Sequence, residues 1–235
     1  VVDRWHNVVS MTTTIESNFG SGVAVRGFML NNELTDFDPL LVDPVTSKLV
    51  ANGPDGGKRP HRTAATAADR ATSGGKRPRS SMTPTIVTRE HKPYMGIGSP
   101  GGSMIIGAVF NALTNFMYLK ETLPDAVAAP RAIGRNRPDN LIDLRVEGST
   151  LARRLAGRGF KTTFTSYSGY VQAIHIDHDD NGTALGLYGV ADVTRLPSAL
   201  AKGLCKAVKG KGRRLGDVEQ PAFQHCPVHP DSPYI

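Results

Sequence analysis

Tyr94-Met95-Gly96-Ile97-Gly98-Ser99-Pro100-Gly101-Gly102-Ser103-Met104 joins a strand pattern to a helix pattern through two consecutive glycines. The apolar runs Pro84 to Val87 and Tyr94 to Ile97 precede it, and helical spacing begins at Met104 and continues to Leu119. Two glycines between a strand and a helix let the backbone turn sharply, leave its N–H groups uncovered and place them at the positive end of the helix. Such a turn suits an anion: a phosphate, a carboxylate, or the oxyanion formed when an acyl group is attacked. A glycine pair alone more often marks a plain turn, so the reading depends on its neighbours.

Outward from this loop, strand patterns fall at 8–15, 23–30, 84–88 and 94–97. Helical spacing is present at 104–119 and 148–158, with a short helix at 121–129 ending before Pro130. Strand patterns return at 160–166, 170–177 and 183–188, the last two separated by the turn Asp179-Asp180-Asn181-Gly182. Periodicity alone gives a mixed α and β chain whose alternation suits two layers of sheet between helices. Trp5 and His6 are expected in a hairpin turn before Asn7. His175 and Asp177 share one face of a strand while His178 points away, as expected of a strand entering a polar turn.

Polar groups cluster at the ends of these elements. Glu33 and Asp36, in Asn31-Asn32-Glu33-Leu34-Thr35-Asp36-Phe37, offer acceptors for an ammonium, and Ser80 and Ser81 offer hydroxyl donors to a carboxylate. With the Gly101 and Gly102 amides aimed at a developing negative charge, an α-amino acid bearing an acyl side chain would satisfy all three groups.

Several ordered stretches carry a resemblance. They are Val1-Val2-Asp3 with Asn7-Val8-Val9, Thr12-Thr13-Thr14 with Phe19-Gly20-Ser21-Gly22, and Leu30 to Glu33 with Asp36-Phe37. Lys76 to Val87, Gly98 to Ser103, Ala129-Pro130-Arg131 and Leu144-Arg145-Val146-Glu147 complete the set. In these the chain resembles the small, C-terminal subunit of the gamma-glutamyltransferase (glutathione hydrolase) family, from Val1 to about Arg195. The resemblance implies an α+β fold, the αββα sandwich of N-terminal nucleophile hydrolases, over residues 1–200. It also implies cleavage of gamma-glutamyl amides such as glutathione through a threonine acyl-enzyme, with transfer to water or an amino acid. By position, Thr14 is similar to the threonine that hydrogen-bonds the nucleophile, Glu33 and Asp36 to the pair holding the substrate α-amino group, and Ser80 and Ser81 to the pair binding its α-carboxylate. Gly101 and Gly102 are similar to the oxyanion hole. Glu16 falls where many members place an asparagine near the donor substrate.

The resemblance further implies a large subunit cut from the same precursor, no metal or organic cofactor, and a periplasmic or secreted location. One departure stands out: the family's nucleophile is an N-terminal threonine within a Thr-Thr-His-aromatic-Ser run just before the equivalent of Val1-Val2-Asp3. An N-terminal threonine can be nucleophile and base together, its α-amine (pKa about 8) taking the hydroxyl proton. Val1 has no hydroxyl, and Thr12, Thr13 and Thr14 lie inside an expected strand with no free amine. The expectation is that the sequence starts a few residues late or that the chain has no chemistry of its own. Two alternatives stay open: a cephalosporin or glutaryl acylase of the same fold, and a non-catalytic fragment or basic binding module.

Charge and length bound the rest. The 235 residues carry a formal net charge of +7. Lys58, Arg59, Arg62, Arg70, Lys76, Arg77 and Arg79 stand against Asp55 and Asp69 in 55–79, and six basic against three acidic residues in 202–235. Neither basic stretch interleaves aromatics with its charges, so solvated loops are expected and no nucleic-acid partner. Gly56-Gly57-Lys58-Arg59-Pro60 recurs as Gly74-Gly75-Lys76-Arg77-Pro78, which marks 57–75 as a loop insertion. Residues 201–235, rich in Gly, Lys, Arg and Pro, read as a flexible tail. Met104 to Leu119 is too short and too polar for a membrane span. Cys205 and Cys226 are read as free thiols or one optional disulfide, and His225, Cys226 and His229 lack a recognised zinc spacing.

Overall fold

The computed structural model describes residues 1–3, 5–38, 40, 42–48, 50, 52, 77–134 and 139–195, and the backbone of 223–227. The proposed insertion at 57–75, Cys205 and His229 lie outside them. The chain divides into two units, Val1–Thr12 with Ser81–Ile235, and Thr13–Ser80.

The first unit opens with a tight hairpin. Val2 bridges Val8 antiparallel, and Asp3 Oδ1 accepts from Trp5 N and Asn7 N, both at 2.9 Å. This confirms the turn at Trp5-His6. The strand expected at 8–15 is reduced to that bridge, because residues past Ser10 find no ladder partner among the described residues. In the second unit, the strand expected at 23–30 is a two-rung hairpin, β1 (Ala24–Val25) and β2 (Phe28–Met29), broken where Arg26 and Gly27 take positive φ.

Back in the first unit, β3 (Thr85–Arg89) and β4 (Lys92–Gly98) form a hairpin that leads into the glycine loop. A single helix over 104–119 is expected, but three segments are found: a 3₁₀ turn at Gly102–Met104, α1 (Ile105–Leu113) and a π turn at Thr114–Tyr118. Asn111, a polar interruption in this apolar run, has a structural use. Its amide nitrogen donates to Gly107 O at 2.7 Å and Ala132 O at 3.0 Å, tying α1 to the strand that follows.

Helix α2 (Leu123–Ala128) starts at Thr122, whose hydroxyl accepts from Asp125 N, with Pro124 in its first turn. The short strands β5 (Ala132–Gly134) and β6 (Asn140–Asp143) are not legible in the sequence pattern, being three and four residues long. α3 (Thr150–Gly157) is capped by Ser149, and β7 (Thr162–Thr165) pairs parallel with β6. β8 (Gln172–His178) and β9 (Ala184–Ala191) follow as a hairpin whose turn is held by Asp179 Oδ1, accepting from Asn181 N and Thr183 N. Within the segment expected as a flexible tail, Phe223–Pro227 forms β10 on the edge of β9.

The result is an antiparallel sheet ordered β10-β9-β8-β4-β3 and a three-stranded sheet ordered β5-β6-β7. Alternation along β4 and β8 sends Met95, Ile97 and Ala173 to one face, where they bury against Ile105, Ala108, Val109 and Ala112 of α1 and against Leu123 and Val127 of α2. The opposite face packs Ile174, Ile176 and Leu187 against Val2 and Val8 of the hairpin. His175 lies among rings, 4.5 Å from Tyr94 and 5.3 Å from Phe116 in edge contacts, and burial pulls its pKa down.

A buried ionic network closes the first unit. Arg131 reaches Asp192, Val127 O, Ser168 O and Gly169 O, and Arg195 reaches Asp192, Asp143, Ala129 O and Ser168 Oγ. Burial and the neighbouring Arg195 pull Arg131 down to about 10, so it stays cationic at neutral pH. Among the described residues no helix is long and apolar enough to cross a membrane.

Candidate active site

The glycine loop sits where the sequence places it, at the junction of β4 and α1. Gly101 takes φ +141° and Gly102 φ +54°, conformations that L side chains rarely adopt. Met104 N closes the first turn on Gly101 O at 3.1 Å, and Ile105 N bonds Gly102 O. The N–H groups that open a helix have no partner within it, so those of Gly101 and Gly102 stand at the positive end of α1. Gly101 is buried and Gly102 exposed, and a Cβ added at Gly102 would meet nothing within 4 Å. Gly102 thus opens the 3₁₀ turn that leads into α1 from an exposed position.

The second unit gathers three carboxylates. A 3₁₀ turn at Glu33–Asp36 presents Glu33 and Asp36 toward Glu16, so that one oxygen from each lies within 4.8 Å of the others. Glu16 is held by local bonds at φ +72°: its N–H donates to Thr14 Oγ1 at 2.8 Å. The neighbouring segments are locked together by Asn32, whose Oδ1 accepts from Ser17 N at 3.0 Å and whose Nδ2 donates to Ser17 Oγ at 3.0 Å. Asn52 Nδ2 donates to Asp36 O at 2.8 Å.

Desolvation, then repulsion from Asp36 and Glu33, pushes the Glu16 carboxyl above its ordinary pKa, and Arg79 works against that rise. Arg79 Nη2 stands 3.5 Å from Asp36 Oδ1. Sequence reasoning assigned Arg79 to a solvated basic stretch, and no spacing signal links it to an acid 43 residues earlier. Three carboxylates this close concentrate negative potential at one point of the second unit. Among the described residues they are the only group of His, Cys, Asp and Glu so converged.

The remaining expected residues are placed as follows. Thr14 is exposed and lies outside any strand, accepting the Glu16 N–H. Ser80 is exposed and Ser81 half-buried, at the point where the chain passes from one unit to the other. Sequence reasoning missed the support of the glycine loop, Ser99 and Gly169, because they are 70 residues apart in sequence and meet only in the fold.

A family model described as Gamma-glutamyltranspeptidase matches residues 1–201. The chain belongs to the gamma-glutamyltranspeptidase family. The glutathione hydrolase proenzyme of Bacillus subtilis (strain 168) is 37% identical over 207 residues, which are 87% of this chain and 30% of that protein. The proenzyme of Escherichia coli (strain K12) is 32% identical over 197 residues, 82% of this chain and 30% of its own length. The chain thus spans under a third of these curated relatives. A crystallised variant of the Helicobacter pylori gamma-glutamyltranspeptidase superposes with a TM-score of 0.65 at 30% identity, over 82% of this chain and 96% of that one. The α+β architecture of the N-terminal nucleophile hydrolases is therefore the fold of this gamma-glutamyltranspeptidase family member.

Proposed function

We propose that this chain is the small subunit of a gamma-glutamyl acyltransferase and hydrolase that works with a large subunit. The observation that carries the reading is the convergence of Glu16, Glu33 and Asp36, which suits the α-ammonium of a gamma-glutamyl donor. A glutaryl acylase would have less use for it, since its substrate brings no α-ammonium and would leave Arg79, among the described residues, as the one cation against three carboxylates.

In this reading an N-terminal threonine of the assembled enzyme attacks the gamma-carbonyl, its own α-amine taking the hydroxyl proton. The family resemblance gives Thr14 the part of orienting that hydroxyl. The negative charge that develops on the carbonyl oxygen is received by the Gly101 and Gly102 N–H groups, and collapse breaks the C–N bond as the threonine α-ammonium returns the proton to the departing amine. Ser80 and Ser81 donate to the α-carboxylate. The acyl-threonine ester is then resolved by water or by an amino acid, and no redox or metal step is called for.

The test compares two chromogenic anilides in the assembled two-subunit enzyme. Asp36→Asn is expected to raise KM for the gamma-glutamyl anilide about ten- to a hundredfold, as loss of a charge-assisted bond of roughly 1.5–3 kcal/mol implies. It should leave the glutaryl anilide nearly unchanged. Equal losses on both substrates would favour the acylase reading.

A further inference from the structure

The glycine loop is braced by a second turn, distant in sequence. Gly101 is backed by Gly169: a Cβ built on Gly101 would come 2.9 Å from Gly169 Cα, and one built on Gly169 (φ +80°) would come 2.8 Å from Ala108 Cβ and 2.9 Å from Ser99 Oγ. Two backbones therefore run in contact. Ser99, 3% exposed, bolts them together, its Oγ donating to Pro100 O at 2.6 Å and accepting from Tyr170 N at 2.9 Å. Beneath, Arg131 Nη1 donates to Ser168 O at 3.1 Å and to Gly169 O at 2.9 Å, so the supporting turn is anchored in the buried ionic network.

We propose that Ser99 is a positioning residue for the oxyanion-binding amides, clamping the Pro100–Gly102 turn onto the rigid Ser168–Tyr170 turn. The inference rests on the oxyanion reading of Gly101 and Gly102. Physically, donors aimed at a developing charge act through being held in place beforehand, and a misplacement of about 1 Å can cost up to about a hundredfold in rate. A buried hydroxyl with two partners on two different turns fixes their separation, and its removal leaves the Tyr170 N–H only the long contact to Pro100 O at 3.4 Å.

The test uses Ser99→Ala in the assembled two-subunit enzyme, purified in its cleaved form. Rate is taken per folded, active-site-titrated molecule. Expected are a kcat lowered roughly ten- to a hundredfold, an unchanged KM for the gamma-glutamyl anilide, and a parallel loss of affinity for a tetrahedral gamma-phosphonate analogue of glutamate, while glutamate itself binds as before. A merely structural role would lower the folded fraction and leave these ratios alone, and that result overturns the proposal. Gly102→Ala separates the two levels. If it lowers kcat and phosphonate affinity while Ser99→Ala does not, the clamp falls and the oxyanion reading stands. If neither variant changes kcat or phosphonate affinity, both fall.

Discussion

Arg131 and Asp192, 61 residues apart in sequence, meet at 2.7 Å with their side chains 1% and 0% exposed. Removing Arg131 leaves Asp192 with Arg195 as its one cationic partner among the described residues and strips Val127 O, Ser168 O and Gly169 O of a buried donor. Arg131→Met is therefore expected to cost about 3–5 kcal/mol of stability. Arg145 contacts Asp143 from a position 41% exposed, and Arg145→Met should cost about 1 kcal/mol or less. Denaturant midpoints of the two variants against wild type decide this, and similar losses would contradict it.

The acid limb of stability follows from Asp143. Burial alone would raise its pKa, but hydrogen bonds from Arg145 and Arg195 win and hold it well below the usual carboxylate range. A depressed folded value means a contribution to stability that is present above the ordinary 3.8 and lost as pH falls below it. The wild-type midpoint should drop from about pH 4 downward, by up to about 1.4 kcal/mol per pH unit for this one proton. Asp143→Asn should be less stable at neutral pH and show a shallower fall. Parallel curves would rule Asp143 out as the source.

Glu16 predicts a pH effect on substrate binding. Its raised pKa means that it takes up a proton above the ordinary 4.5 as the solution is acidified, and the proposed ammonium site then loses charge. KM for a gamma-glutamyl anilide should rise on acidification before ordinary carboxylates titrate. In Glu16→Gln that early limb should be absent. A KM profile identical in the two enzymes would remove Glu16 from the donor site.

The two glycines of the loop should fail differently. Gly102→Ala meets no atom within 4 Å, so only left-handed strain of roughly 1 kcal/mol burdens the fold. Alanine keeps its N–H, so kcat should fall as far as left-handed strain turns that amide off the carbonyl oxygen, with the ~2.7–4 kcal/mol of a deleted donor as the ceiling. Gly101→Ala forces a Cβ into the Gly169 backbone at 2.9 Å and should lower Tm first. Tm and kcat per folded molecule separate the two, and a Gly102→Ala enzyme with normal kcat would sink the oxyanion role.

The sequence by itself determined the parts whose signal is local. The β4 to glycine to α1 junction, the caps at Thr122 and Ser149, and the Asp179 turn follow from side chains acting on backbone within four residues, and the ordered motifs carried the family. What lay in pairing over long separations was not legible. The strand expected at 8–15 shrank to one bridge for want of a partner, β5 and β6 were too short to show a period, and β10 arose in a segment whose composition reads as loose. Tertiary structure alone decided that Arg79 faces Asp36, that one carboxylate oxygen from each of Glu16, Glu33 and Asp36 comes within 4.8 Å of the others, and that Gly169 backs Gly101. The physical reason is the same in each case: electrostatic focusing and backbone contact depend on distances of a few ångströms between residues that the order of the chain keeps apart.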